Sequence, residues 1–202
     1  MKLYDNALAP SPRRVRVFLA EKGIEVPTVA VDIVKAENRQ PAFLAKNPLG
    51  GVPVLELDDG TIITESTAIC RYFEELKPDP PLLGVDGRDR AIVEMWLRRV
   101  EFEVAFPIMQ TFRHTHDFFR GRIPQVPEWG AVCKQRAIEQ LAWIDAELAD
   151  RPFIAGDRYT IADIALLIGV DFGRVSQIRI DPEHKNLTRW YGEVSSRPSA
   201  KA

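Results

Sequence analysis

Apolar and polar residues change rhythm once along this chain, near residue 77. Upstream the apolar positions come in short runs. KLYDN reads as a strand. Residues 12–22 place Val15, Phe18 and Leu19 on one helical face, with Gly23 as a stop. VPTVAVDIV is rich in β-branched residues, and PAFLAK is a short helical piece ending before Asn47-Pro48. VPVLEL and TIIT flank Asp58-Asp59-Gly60, a hairpin signal, and ESTAICRYFEEL is a helix closed by Pro78. The predicted order is β-α-β-α-β-β-α. A strand–helix–strand start implies a right-handed parallel crossover, and the hairpin adds an antiparallel pair. Together they predict an α/β fold, a mixed four-stranded sheet with helices on its faces.

Downstream the pattern is helical throughout. Residues 88–119 read as one long segment bent near Pro107, which has no N–H to give the carbonyl four residues back. Residues 128–150 carry Ala137, Leu141, Ile144 and Leu148 as one stripe, residues 160–176 are apolar nearly all round, and residues 186–197 end at Arg197-Pro198. Thr160 and Asp163 have the spacing of a capping box at the start of the apolar helix. KPDPPLLGVDG separates the two patterns. It divides the chain into an α/β domain over 1–77, a linker over 78–87 and an all-α domain over 88–202.

Composition narrows the function. The net charge of −2 supplies no global field for nucleic acid or an anionic membrane surface. No apolar run approaches the ~18 residues of a membrane span, and the N-terminus has no signal-peptide core. The two cysteines, Cys70 and Cys133, lie in helical segments away from CxxC or zinc-type spacing. That suits buried thiols in a reducing compartment, hence the cytoplasm, and offers no metal site.

Chemistry concentrates in GGVPVLELDDGTIITESTAI. Pro53 opens a strand, where a cis Val52-Pro53 bond would turn the Val52 N–H and C=O outward to pair with an extended peptide. Glu65 and Ser66 stand at a helix N-terminus, where the hydroxyl, the first-turn N–H groups and the dipole suit a carboxylate and Glu65 suits an ammonium. Such a pair would bind an amino-acid head group. Alternatively, Glu65 and Ser66 only cap their helix and Pro53 only blunts an edge strand. In APSPRR, Ser11 is placed to cap the first helix, with Pro12 at its first position. Arg13 and Arg14 follow where the dipole is already positive, which an anion would relieve.

NPLGGVPVLELDDGTIITESTAI, the proline-rich linker and GDRYTIADI together resemble the cytosolic glutathione transferases over essentially the whole chain. The bacterial and fungal branch with FLAKNPxGxVPVLELDDGT is the most similar in pattern. The resemblance implies a thioredoxin-like first domain, an all-α second domain, glutathione as cosubstrate without a metal, a small hydrophobic electrophile, a detoxification role and a homodimer. Carried over, Val52 and Pro53 meet the cysteinyl backbone of glutathione, and Glu65 and Ser66 hold its γ-glutamyl end. Arg39 or Gln40 stands in for the His, Lys or Gln that relatives place before the VP, where this chain has Gly50-Gly51. Arg13 adds positive charge.

Thiol activation is where the sequence departs from the pattern. Ala9 occupies a position where several classes carry a hydroxyl, and Tyr4 lies too early. Ser11 is the only hydroxyl left in the loop, with the Ser11, Arg13 and Arg14 amides beside it. A histidine-held water is the other route, through His114 or His116. His116 shares a predicted helical face with Phe102, Phe106, Met109 and Arg113, and Phe106, Met109 and Phe112 are placed to wall an apolar site. Conjugation, peroxide reduction and reductive dehalogenation remain open reactions. A non-catalytic glutathione-binding or assembly module is the alternative, supported by Ala9. A thioredoxin-type oxidoreductase lacks the cysteine it needs in this loop.

Overall fold

Strand β1 (Lys2–Asp5) sits inside a four-stranded sheet, described like the rest of the chain by a computed structural model of residues 1–202. Helix α1 (Pro10–Lys22) leads to β2 (Thr28–Ala30), and α2 (Pro41–Leu44) precedes the hairpin of β3 (Val54–Glu56) and β4 (Ile62–Thr64). The sheet order is β2-β1-β3-β4, with β1 parallel to β2 and antiparallel to β3, and β3 antiparallel to β4. This is the mixed sheet the punctuation predicts. Leu3 pairs with Leu55 and Tyr4 with Val54. Alternation then sends Leu3 and Leu55 to one face and Tyr4 and Val54 to the other. Both faces are covered, since Val54 and Leu55 are both fully buried. Val54 packs with Val31 and Phe43, flanked by Tyr4, Val52 and Ile62.

Two polar groups hold this unit together. Tyr4 donates its hydroxyl to Glu56 (2.8 Å), which also pairs with Lys46 (2.7 Å) and Lys2 (3.1 Å). Those donors, Lys46 first, hold the Glu56 carboxyl down to about 2. The Lys22 ammonium is buried at the end of α1, paired with Glu74 of α3 (Ser66–Leu76) and donating to the carbonyls of Lys77 (2.8 Å) and Pro78 (3.1 Å).

The chain forms two compact units, residues 1–82 with 198–202, and residues 83–197. The sequence pattern places 198–202 with the helical half. Those residues lie instead with the first unit, where Arg13 donates to the Ala200 carbonyl (2.8 Å) and Ser199 pairs with Glu21.

The second unit is helical: α4 (Gly87–Arg99), α5 (Phe106–Thr115), α6 (Pro127–Glu147), α7 (Ile161–Gly173) and α8 (Lys185–Ser196). The long segment is interrupted just before Pro107 by a π-helical stretch, Val100–Ala105, between α4 and α5. The wider π ring is one way a helix accommodates a position with no amide donor. Helix α5 ends at Thr115, short of the expected 119, and His116 is already extended (φ −92°, ψ 140°). Every residue of α7 from Ile161 to Val170 is buried, as its all-round apolarity requires.

The capping box forms at the start of α7. Thr160 accepts from the Ala162 N–H (3.3 Å), and Asp163 accepts from the Thr160 N–H (2.9 Å). Asp163 also receives the Ile154 N–H and the Trp190 indole N–H, both at 2.9 Å. Burial pushes its carboxyl above the ordinary value, opposed by these donors. Cys70 and Cys133 are buried and outside any disulfide, and burial raises the Cys133 thiol pKa.

Candidate functional site

The loop after β1 is shaped by Asn6. Its Oδ1 accepts the Leu8 and Ala9 N–H groups (3.0 and 3.1 Å), and its Nδ2 donates to the Val31 carbonyl (2.8 Å). Helix α1 begins at Pro10 with Ala9 as N-cap, and no side chain caps it. Ser11 is therefore not the cap expected from the sequence. Both prolines fit the first turn, because N–H groups there have no helical acceptor to lose. The helix consequently starts two residues earlier than expected and carries Ser11 inside its first turn, exposed. The three amides near Ser11 are not equivalent either. Arg13 N–H donates to the Ala9 carbonyl (3.3 Å) and Arg14 lies one position deeper in the ladder, so only Ser11 N–H precedes it.

The two arginines part company. Adjacent helical residues point about 100° apart. Arg13 donates to the Ala200 carbonyl (2.8 Å). Arg14 reaches the start of α3, where one guanidinium nitrogen donates to Ser66 Oγ (3.2 Å) and Thr67 Oγ1 (3.1 Å). The sequence credits Arg14 with charge and an amide near α1, whereas its guanidinium contact with Ser66 is 52 residues away in the chain. No local spacing encodes that contact.

At the start of α3 the capping alternative for Glu65 falls away. Glu65 is the N-cap, yet its side chain makes no cap hydrogen bond and is exposed. Its backbone lies at φ 65°, ψ 118°, a conformation that costs a non-glycine residue about 1–3 kcal/mol. Ser66 is 7% exposed. Because its Oγ already accepts from Arg14, the Ser66 hydroxyl hydrogen is left to donate elsewhere.

On the strand side, the Val52–Pro53 bond is cis. Val52 is half-buried, and no hydrogen bond within the chain uses its N–H or C=O. Pro53 is buried. Arg39 donates to the Leu49 carbonyl (3.1 Å), and Asn38 Nδ2 to the Gly50 carbonyl (2.7 Å). A Cβ at Gly50 would stand 2.8 Å from the Arg39 guanidinium and 2.8 Å from the Asn38 carbonyl, at φ 64°. Only glycine fits there, and the space is filled by Arg39. Gln40 is exposed and precedes α2 without capping it.

His114 and His116 are committed to local structure. His114 Nδ1 accepts the Val126 N–H and His116 Nδ1 accepts the Phe118 N–H, each at 3.0 Å. In the neutral ring this puts the proton on Nε2, so each presents a donor there rather than a base. The expected face joining His116 to Phe102 and Phe106 does not exist. The π stretch shifts the register, His116 lies beyond the helix, and Phe102 and Phe106 are 59% and 49% exposed. Phe112 instead gathers His116 (4.7 Å between centroids), Phe119 (5.2 Å) and Phe172 (5.0 Å).

Comparison with known proteins decides the family. The N-terminal domain family of glutathione S-transferases matches residues 9–76, and the C-terminal domain family matches residues 131–198. Glutathione S-transferase 2 of Saccharomyces cerevisiae is 37% identical across all of this chain and 88% of the yeast protein. The chain belongs to the glutathione S-transferase family.

Solved glutathione S-transferases carry the same fold. The crystal structure of Gtt2 from Saccharomyces cerevisiae matches with a TM-score of 0.95 at 36% identity, over 100% of this chain and 99% of that one. A glutathione S-transferase domain-containing protein from Marinobacter aquaeolei VT8 gives 0.95 at 37% identity, over 98% and 99%. A maleylacetoacetate isomerase of Pseudomonas aeruginosa, 33% identical over 83% of this chain, is a further relative.

Proposed function

We propose that this glutathione S-transferase family member binds glutathione along β3 and the start of α3 and joins its sulfur to a small hydrophobic electrophile. The observation that carries the reading is the uncommitted, exposed Glu65 carboxylate held in a strained backbone beside a Ser66 hydroxyl that Arg14 has turned into a donor. In this reading the γ-glutamyl ammonium pairs with Glu65. Its carboxylate takes the Ser66 O–H and the orphan N–H groups of the α3 first turn, with Arg14 adding positive charge. The Val52 N–H and C=O pair with the cysteinyl backbone, with Pro53 fixing the strand start. Arg39, seated over Gly50, serves the glycine carboxylate, with Gln40 beside it.

The sulfur is directed to the start of α1. A thiol near pKa 8.5 is only a few per cent ionised at neutral pH. The Ser11 N–H and hydroxyl donate to the thiolate and the α1 dipole favours it, while the thiol proton passes to solvent water. The thiolate electron pair then forms the S–C bond and the leaving group departs with the electrons of the bond it breaks. His114 and His116 enter this scheme only as donors to a water. The homodimer, the cytoplasmic location and a detoxification role belong to the same proposal. Buried thiols outside disulfides support a reducing compartment.

The test is glutathione binding and turnover with a chromogenic electrophile. Glu65→Ala and Ser66→Ala are each expected to weaken glutathione binding about tenfold or more. Unchanged affinity in both variants refutes the site. A bound glutathione whose thiol titrates at its free value would favour the binding module over the enzyme.

A further inference from the structure

Helix α1 has no acidic residue in its first turn, no side-chain cap at Ala9, and two arginines where the helix dipole is already positive. Arg14 has its reason in α3, where it ties to Ser66 and Thr67. Residues four apart share a helical face, so Arg14, Phe18 and Lys22 form one stripe, and Lys22 pairs with Glu74 near the other end of α3. Arg13, Val17 and Glu21 form the neighbouring stripe, and its two polar ends meet a different partner, the segment 198–202 of the same unit. Arg13 Nη2 donates to the Ala200 carbonyl (2.8 Å), and Glu21 accepts the Ser199 hydroxyl. Val17 between them is fully buried, and Ser199 and Ala200 are 6% and 7% exposed, so the segment is seated rather than loosely laid down. The Arg13 end of this stripe lies in the turn to which the glutathione sulfur is directed. Ser11 stands about 200° of helical rotation from Arg13, so the Arg13 side chain leads away from the Ser11 hydroxyl.

We propose that Arg13 is a positioning residue for thiolate formation: its grip on Ala200 fixes the uncapped first turn of α1, and through it the Ser11 N–H and hydroxyl that face the glutathione sulfur. The inference rests on the glutathione site proposed above. Donors fixed in advance stabilise an anion because they need no reordering when the charge appears. A first turn whose N–H groups have no helical acceptor and no side-chain cap frays unless a group outside the helix holds it. Arg13 and Arg14 hold it from two sides, one through the segment 198–202 and the other through α3. The hydrogen bond to the Ala200 carbonyl also offsets the unfavourable place of a cation at the positive end of the dipole.

The experiment follows the thiol of glutathione bound to the full chain by its thiolate absorbance against pH. Calorimetric titration with S-methylglutathione, which has no ionisable sulfur, reports the head-group site separately. In Arg13→Ala the bound thiol should titrate about one pH unit higher than in the parent, equivalent to a roughly tenfold loss of thiolate stabilisation. The acidic limb of the kcat profile should move up with it, while S-methylglutathione binds as in the parent. Arg13→Lys, which keeps a donor for the carbonyl, should recover most of the shift. The shift should persist at about 1 M salt, where exposed charges more than about 3 Å apart are screened. Ile144→Val, buried in α6, should lower the melting temperature and leave the thiol titration in place. Circular dichroism checks each fold, and Arg13→Gln repeats the test if the alanine variant does not fold. No shift in Arg13→Ala, no recovery in Arg13→Lys, a shift that disappears in salt, an equal shift in Ile144→Val, or loss of S-methylglutathione binding in Arg13→Ala would each overturn the assignment. If the parent chain itself does not bind S-methylglutathione, the glutathione site falls and this inference with it.

Discussion

Replacing Glu65 by glycine should make the protein more stable and a poorer binder at once. The residue sits at φ 65°, ψ 118°, where a Cβ is strained by about 1–3 kcal/mol and glycine is not. Glycine loses about 0.4–1 kcal/mol of that gain through the extra freedom of the unfolded chain. The net stabilisation is about 1 kcal/mol, which for a chain of 202 residues raises the melting temperature by about 2–4 °C. The same substitution removes the carboxylate proposed to pair with the γ-glutamyl ammonium, a charged interaction of about 1.5–3 kcal/mol, so glutathione affinity should fall about tenfold or more. Glu65→Ala separates the two effects. It keeps the Cβ, so it should lose the same affinity with a melting temperature close to that of the parent chain. The assays are thermal unfolding by circular dichroism without ligand and calorimetric titration with glutathione. If the glycine and alanine variants melt together, the strain argument is wrong. If either keeps the parent affinity, the head-group assignment is wrong.

Other outcomes follow from the same geometry. Arg14→Gln should weaken glutathione binding without moving Glu65, through loss of the cation that orients Ser66, and calorimetry with Ser66→Ala as a partner in a double-mutant cycle should show coupling between the two. Ser11→Ala should lower turnover about tenfold or more if the hydroxyl donates to the thiolate, while a His114→Ala, His116→Ala double variant should leave most of it, as measured in steady-state assays. Glu56 has its carboxyl held near 2 in the folded chain against an ordinary 4.5, so its contribution to stability is complete above about 4.5 and is lost as the pH falls towards 2. Urea midpoints should therefore fall more steeply over that interval in the parent chain than in Glu56→Gln. Asp163→Ala should cost about 4 kcal/mol in urea unfolding, since it orphans the Ile154 and Thr160 N–H groups and the Trp190 indole together.

The sheet was legible because its punctuation is local. Gly23, Asn47-Pro48, Asp58-Asp59-Gly60 and Pro78 close each element within a few residues, and the chirality of the crossover leaves one topology. The capping box at Thr160 and Asp163 was legible for the same reason. The α1 start was not, because two prolines two residues apart both satisfy the rule for a first turn, and only the Asn6 turn decides between them. The π stretch was invisible because the size of a hydrogen-bonded ring leaves no residue signature beyond a proline that is equally compatible with a plain kink. Glu65, Ser66 and Val52 were marked by their neighbours, a helix start and a strand-leading proline. The Arg14 contact with Ser66 and Thr67 joins α1 to α3, and Arg39 over Gly50 joins two loops. Pairings of that kind depend on tertiary placement and appear only when the chain is folded.

The seat of Arg39 over Gly50 makes the two positions a single choice. A larger residue grafted at 50, even one bearing a useful cation, would collide with the arginine head and with the Asn38 carbonyl, and would need a left-handed backbone besides. Transplanting a lysine or histidine there therefore requires rebuilding the turn at 37–39 as well. A positive group can therefore stand at 39 or at 50 of this turn, but one substitution cannot move it from the first position to the second.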